Sequence, residues 1–187
     1  MKILSNPQLK KIVKLAIKED LGKLGDITSN TVLTKRDKAT FHFVSRAKGI
    51  LCGINIAKIV YELLDDKIIF TSFKKDGDLI KKNEILAKVE GPAISLLTGE
   101  RTALNFLTHL SGIATSTSMM VKLILHTDTK ILCTRKTTPG LRNIEKYAVK
   151  VGGGINHRIG LFDAILIKDN HIAIAGSISN ALKKVKK

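Results

Sequence analysis

The sequence predicts an α/β protein built in two dissimilar parts, and three observations point there. Up to Glu90, short strand-like runs alternate with helical patterns and turn signals, as in an α+β layer of mostly antiparallel strands. After Lys130 the rhythm becomes strand, loop, helix, and then repeats, which implies a parallel sheet with right-handed crossovers. Finally, cations stand at the ends of the apolar runs in that second part, where parallel sheets bind their ligands.

The elements follow in order. Leu9, Ile12, Val13 and Ala16 repeat at helical spacing, with Ser5 or Asn6 as cap and Pro7 at the first helical position. Gly22 and Gly25 end this helix, and Asp26-Ile27-Thr28-Ser29 reads as a polar turn. Strands are expected over 40–44 and 49–53, a helix over 54–64, and further strands over 68–70 and 85–89. Pro92 opens a long helical region with an apolar stripe from Ile94 to Leu110, interrupted near Ser111-Gly112, and a second helix runs through Met119 to Ile124. A strand over 130–133, a loop over 134–141 and a helix over 142–151 come next. The pattern repeats as a strand over 163–168, a loop to Gly176 and a final helix.

Composition narrows the function classes. The apolar fraction of 44% is that of a globular protein, and no apolar run is long enough to span a bilayer. The N-terminal residues lack the features of a signal peptide, and Cys52 and Cys133 have no zinc-site or disulfide spacing, so a reduced, cytoplasmic setting is expected. The net charge of +16 fits a lysine-rich proteome, an anionic substrate or nucleic-acid contact. The lysines are scattered on helix faces and turns with few aromatics among them, so most are read as solvated and a nucleic-acid partner is not expected.

The chemistry-bearing stretches are Cys133-Thr134-Arg135-Lys136-Thr137-Thr138-Pro139-Gly140-Leu141-Arg142, then Gly152-Gly153-Gly154-Ile155-Asn156-His157-Arg158, then Ile167-Lys168-Asp169-Asn170-His171. Guanidinium forks suit carboxylates and phosphates, and lysine adds a mobile point charge. A site so assembled takes a substrate with several negative charges. Taken without any family, His157 reads as a core histidine and Gly152 to Gly154 as a helix stop with no dinucleotide fingerprint. Asn170 and His171 read as loop-ordering residues, and His42, His109 and His126 as structural.

Together with Glu19-Asp20-Leu21-Gly22, Gly25-Asp26-Ile27-Thr28-Ser29, Gly99-Glu100-Arg101-Thr102-Ala103-Leu104-Asn105 and Leu110-Ser111-Gly112-Ile113-Ala114-Thr115, these stretches closely resemble the quinolinate phosphoribosyltransferase family. The resemblance spans essentially the whole chain. It implies an N-terminal α/β sandwich with a linking helix (1–112), followed by the first part of an incomplete α/β barrel (113–187). It also implies a pentosyltransferase of NAD biosynthesis that joins quinolinate to phosphoribosyl pyrophosphate, releasing pyrophosphate and carbon dioxide. Members are at least dimeric, so a homodimer or higher homo-oligomer is expected.

The resemblance also assigns roles. Arg135, His157 and Arg158 would hold the two quinolinate carboxylates, with Thr134 beside them. Lys136 and Lys168 would sit between quinolinate and the phosphoribosyl donor as the catalytic pair, and Arg101 would reach the quinolinate of the neighbouring subunit. Mg2+ enters with phosphoribosyl pyrophosphate, and no acid here matches its contacts, Asp163 and Asp169 included. Further strands, the ribose-binding acids and a 5'-phosphate loop of the family pattern have no counterpart in this sequence. A C-terminally truncated barrel is therefore expected, its second half poorly folded alone or hiding the edge after 164–167 by association. Two other readings stay open: a molybdate-locus relative using another acceptor, and a non-catalytic basic remnant.

Overall fold

A computed structural model describes residues 6–185. The chain divides into two compact units, Met1–His157 and Arg158–Lys187. Helix α1 spans Asn6–Leu21 and buries Val13 completely. The cap expected at Ser5 lies outside the described residues. Where a polar turn was expected after Gly25, a short helix α2 (Ile27–Val32) forms instead. Asp26 is the reason: its Oδ1 accepts from the Ser29 amide at 2.9 Å, satisfying a donor that a helix start leaves without a partner.

The first unit holds an antiparallel three-stranded sheet in the order β1 (Lys38–Val44), β5 (Ile85–Pro92), β3 (Ile69–Ser72). Along β1, Ala39, Phe41 and Phe43 alternate with exposed neighbours, as the two-residue period of a half-buried strand requires. The strand expected over 49–53 shrinks to β2 (Gly49–Ile50), paired with β4 (Leu79–Ile80), which the sequence pattern did not reveal. Leu51 still exchanges backbone bonds with Gly77 and Asp78, and Cys52 and Gly53 turn away towards α3 (Ile54–Leu64). Asp76 Oδ1 accepts from the Gly53 and Ile54 amides at 2.8 and 3.0 Å.

Helix α4 runs unbroken over Ala93–Leu123, so the break expected near Ser111-Gly112 does not occur. Ser111 faces inward, donating to the Cys52 carbonyl and accepting from the Cys52 amide at 3.1 and 2.9 Å. Gly112 meets no neighbour and simply costs helix propensity. Leu96, Ala103, Leu107 and Leu110 of α4 pack with Ile56, Val60 and Tyr61 of α3 and with Leu86 and Val89 of β5 in one core. Helix α4 also receives the motif acids of the N-terminal stretch. Thr98 Oγ1 donates to Asp26 at 3.2 Å and Thr102 Oγ1 to Asp20 at 3.4 Å.

After α4, residues 131–133 pair in parallel with 154–157 through a single bridge, Leu132 with Ile155. Cys133 donates to the Ile155 carbonyl at 3.0 Å, and Ile155 to the Ile131 carbonyl at 2.8 Å. Helix α5 (Arg142–Val151) connects the two, as predicted. Its end fits closely against α4, since a Cβ on Gly152 would collide with the Ala114 carbonyl and lie 2.7 Å from Thr117 Cβ.

The second unit corrects two expectations. Residues 163–168 form no strand, and the expected loop after them is helix α6 (Asp169–Ala175), followed by α7 (Ile178–Val185). A strand exists only by bonding to a neighbour, and here the Ala164 carbonyl accepts instead from Arg158 Nη1 at 3.0 Å. Lys168 therefore precedes a helix rather than ending a strand.

Candidate functional site

Of the residues expected to bind substrate, Arg101, Thr134, Arg135, Lys136 and His157 belong to the first unit, and Arg158 and Lys168 to the second. Arg101 is exposed on α4, and Thr134, Lys136 and His157 are exposed where the parallel segments end. Lys168 is exposed, and its amide donates to His171 Nδ1 at 3.0 Å. His171, read as ordering a loop, instead orders the start of helix α6. In the same unit Asp163 orders a turn by accepting from the Ile159 and Gly160 amides at 2.7 and 2.8 Å.

The loop over 134–141 is held from one face of α5. Arg142, Glu145 and Lys146 stand three and four residues apart, so they project from the same side of the helix. Arg142 Nε donates to Thr137 Oγ1 at 3.1 Å. Glu145 Oε2 accepts from the Thr138 amide at 3.1 Å, while its Oε1 lies 3.0 Å from His109 Nε2 of α4. Lys146 reaches past the loop to Cys133 and His157. Within the loop itself the Lys136 amide donates to Thr134 Oγ1 at 3.0 Å.

Glu145 is 7% exposed. Burial pushes its proton affinity up, but hydrogen bonds from Thr138 and His109 outweigh this and hold the carboxyl below its usual range. Tyr147, next on α5, donates to Asp76 Oδ2 at 2.8 Å, and burial together with that bond pushes its phenol up. Burial likewise pushes up the Cys52 thiol, so Cys52 stays protonated and serves as core.

One donor on the loop stands apart. Arg135 Nε is buried and has no acceptor among the described residues. Leaving a buried donor unsatisfied costs about 1–3 kcal/mol, which sets this guanidinium apart from the other groups of the loop. The cleft between α1, α4 and the loop over 134–141 does not suit an anion. It has a volume of about 410 Å³ and is lined by Glu19, Asp20, Asn105 and His109 among others, an acidic wall opposite to what an anion needs. Among the described residues no three His, Cys, Asp or Glu side chains converge on a possible metal position.

Sequence reasoning found the exposed cations and missed the groups that hold them. His109 was read as structural, which its contact with Glu145 bears out, but Glu145 and Lys146 were not singled out. A usable signal existed for Lys146, since it lies between Ile144 and Ala148, both buried, on a ten-residue helix.

Comparison with known proteins completes the picture. Residues 26–111 match the family model for the quinolinate phosphoribosyl transferase N-terminal domain, and residues 113–187 the C-terminal domain. The probable nicotinate-nucleotide pyrophosphorylase [carboxylating] of Bacillus subtilis is 48% identical over 96% of this chain and 61% of its own length. The crystal structure of NadC from Streptococcus pyogenes superposes with a TM-score of 0.92 at 41% identity, over 98% of this chain and 65% of that one. The nicotinate-nucleotide pyrophosphorylase from Francisella tularensis gives 0.92 at 44%, over 98% and 64%. The chain thus spans somewhat under two thirds of these relatives, and the molybdate-locus alternative is not favoured. With both domain models matched in order along one chain, this protein belongs to the quinolinate phosphoribosyltransferase family.

Proposed function

We propose that this chain carries the acceptor side of quinolinate phosphoribosyl transfer, in which quinolinate and phosphoribosyl pyrophosphate give nicotinate mononucleotide, pyrophosphate and carbon dioxide. The buried Arg135 Nε without an acceptor supports this reading most directly, because a ring carboxylate supplies the missing partner. His157 and Arg158 take the remaining carboxylate charge, and Thr134 lies beside Arg135 on the clamped loop. Lys136 and Lys168 face the donor, and Arg101 serves a neighbouring subunit in a homo-oligomer.

The reaction asks for no protein nucleophile. The pyridine nitrogen attacks the anomeric carbon as the bond to pyrophosphate breaks, and the ring becomes cationic. The carbon–carbon bond to the 2-carboxylate then breaks, its electron pair passes into the cationic ring, and a proton replaces the lost carbon dioxide. Fixed positive charges and orientation are what the chain supplies, in a setting where they need no reorganisation. Mg2+ accompanies the pyrophosphate donor in this reading. The described residues do not bring together ligands for it, so no step is assigned to it. Two free thiols accord with a reducing, cytoplasmic setting. No helix among the described residues is long and apolar enough to cross a membrane.

The test is calorimetric titration of the purified chain with quinolinate, alongside an assay of quinolinate-dependent pyrophosphate release. Quinolinate binds, and Arg135→Lys weakens binding by about ten-fold or more, because a point charge cannot replace a two-pronged fork. A chain that binds no quinolinate overturns the acceptor assignment.

A further inference from the structure

We propose that Lys146 is a positioning residue that fixes the separation of Arg135 and His157, and so sets the preference of the acceptor site for two adjacent ring carboxylates over one. This rests on the quinolinate reading above. Lys146 is 1% exposed, on a helix whose neighbouring Ile144 and Ala148 are also buried. A methionine would fill a similar volume without taking a charge out of water, so packing gives no reason for lysine here.

Its hydrogen bonds do give one. Nζ donates to Cys133 Sγ at 2.8 Å and to the His157 carbonyl at 3.1 Å. The first acceptor stands two residues before Arg135 and the second belongs to His157 itself. Cys133 extends the link, with Sγ 3.4 Å from Asn156 Oδ1. The parallel pairing of these two segments is a lone bridge at Leu132 and Ile155, followed only by the Cys133 amide bond to the Ile155 carbonyl. Past that point, the Lys146 ammonium spans the gap between the segments just where their cationic side chains begin.

An ammonium suits this task. It has three donors in tetrahedral array, so it holds two acceptors from different segments at a set angle. A dicarboxylate gains from that fixed spacing, because two anion-binding groups must both be met at once. A monocarboxylate needs only one of them and is indifferent to the spacing. Small misplacements at such sites cost large factors in binding or rate.

The discriminating quantity is therefore a ratio. Affinities for pyridine-2,3-dicarboxylate and pyridine-3-carboxylate are measured by calorimetry on the whole chain and on Lys146→Met, with thermal melting in parallel. The parent prefers the dicarboxylate, and in Lys146→Met this preference falls by about ten-fold. A variant that melts lower but keeps the parental ratio shows a merely structural lysine and overturns the proposal while leaving quinolinate binding intact. A parent that binds neither ligand, or both equally, overturns it too, the former together with the acceptor assignment. Should Lys146→Met not fold, Cys133→Ala takes its place. It removes one acceptor only, and an unchanged ratio there is equally fatal.

Discussion

At Glu145 two opposing influences meet on one carboxyl, and the outcome is measurable. Burial favours the protonated form, while the Thr138 amide and His109 favour the charged form and prevail. A carboxyl held below its ordinary range stabilises the fold above that range, and the contribution is lost as pH falls through the lowered value. Stability should therefore drop more steeply in acid, below roughly pH 4, for the parent than for Glu145→Gln. At neutral pH the variant should be less stable by about 1–2 kcal/mol, since the bonds to Thr138 and His109 lose their charged acceptor. Urea titrations from pH 3 to 7 provide the check, and parallel curves for the two proteins would refute it. Residue-scale chemistry was only half legible in the sequence. Cations announce themselves by motif, as the half-buried Arg135 and the exposed Lys136 do. The partners that aim them, such as His109 from α4, arrive from elsewhere in the chain, and no local spacing foretells them.

Among the elements, α5 and its glycine stop show how position rather than conformational freedom fixes residue choice. Gly153 has a positive φ of 91°, as a helix-ending glycine often has. Gly152 does not, at −74°, and is glycine because α4 passes too near for any side chain. Gly152→Ala must push backbone against backbone, so we expect a loss of about 1–3 kcal/mol and a lower melting temperature, whereas a substitution at the unhindered Gly112 should be neutral or mildly stabilising. Helix boundaries at 54–64 and 142–151 were readable from periodicity, because apolar spacing and flanking glycines agreed there. The misreadings have a common origin. Gly112 looked like a break but tolerates helix, and 163–168 looked like a strand but lacks a hydrogen-bonded neighbour.

For the molecule as a whole, the two units differ in how much they bury. The first contains an extended apolar core, including the Phe43, Tyr61 and Phe70 ring cluster. In the second, only Gly160 and Ala181 are buried among the described residues, while Phe162 is 86% and Ile174 89% exposed. Local stability follows buried contact, so amide hydrogen exchange should be slow in α3, α4 and β5 and near the unprotected rate over 161–167. Strong protection of 164–167 in a monomer would contradict this. Large apolar exposure also favours association at high concentration, which light scattering can follow alongside.

Helix α4 has one more consequence. At 31 residues it is about 46 Å long, and the border between the two domain models, 111 to 113, falls inside it. The same rod bears Arg101 in one half and the Thr117 and Ala114 contacts of the α5 terminus in the other. Homology thus draws its line through the middle of a mechanical unit. A chimaera joined at that border, or a split reporter cut there, would sever a continuous backbone ladder and divide the core it supports. The workable seam lies instead in the turn over 124–130, where no ladder is crossed and the chain is mostly exposed.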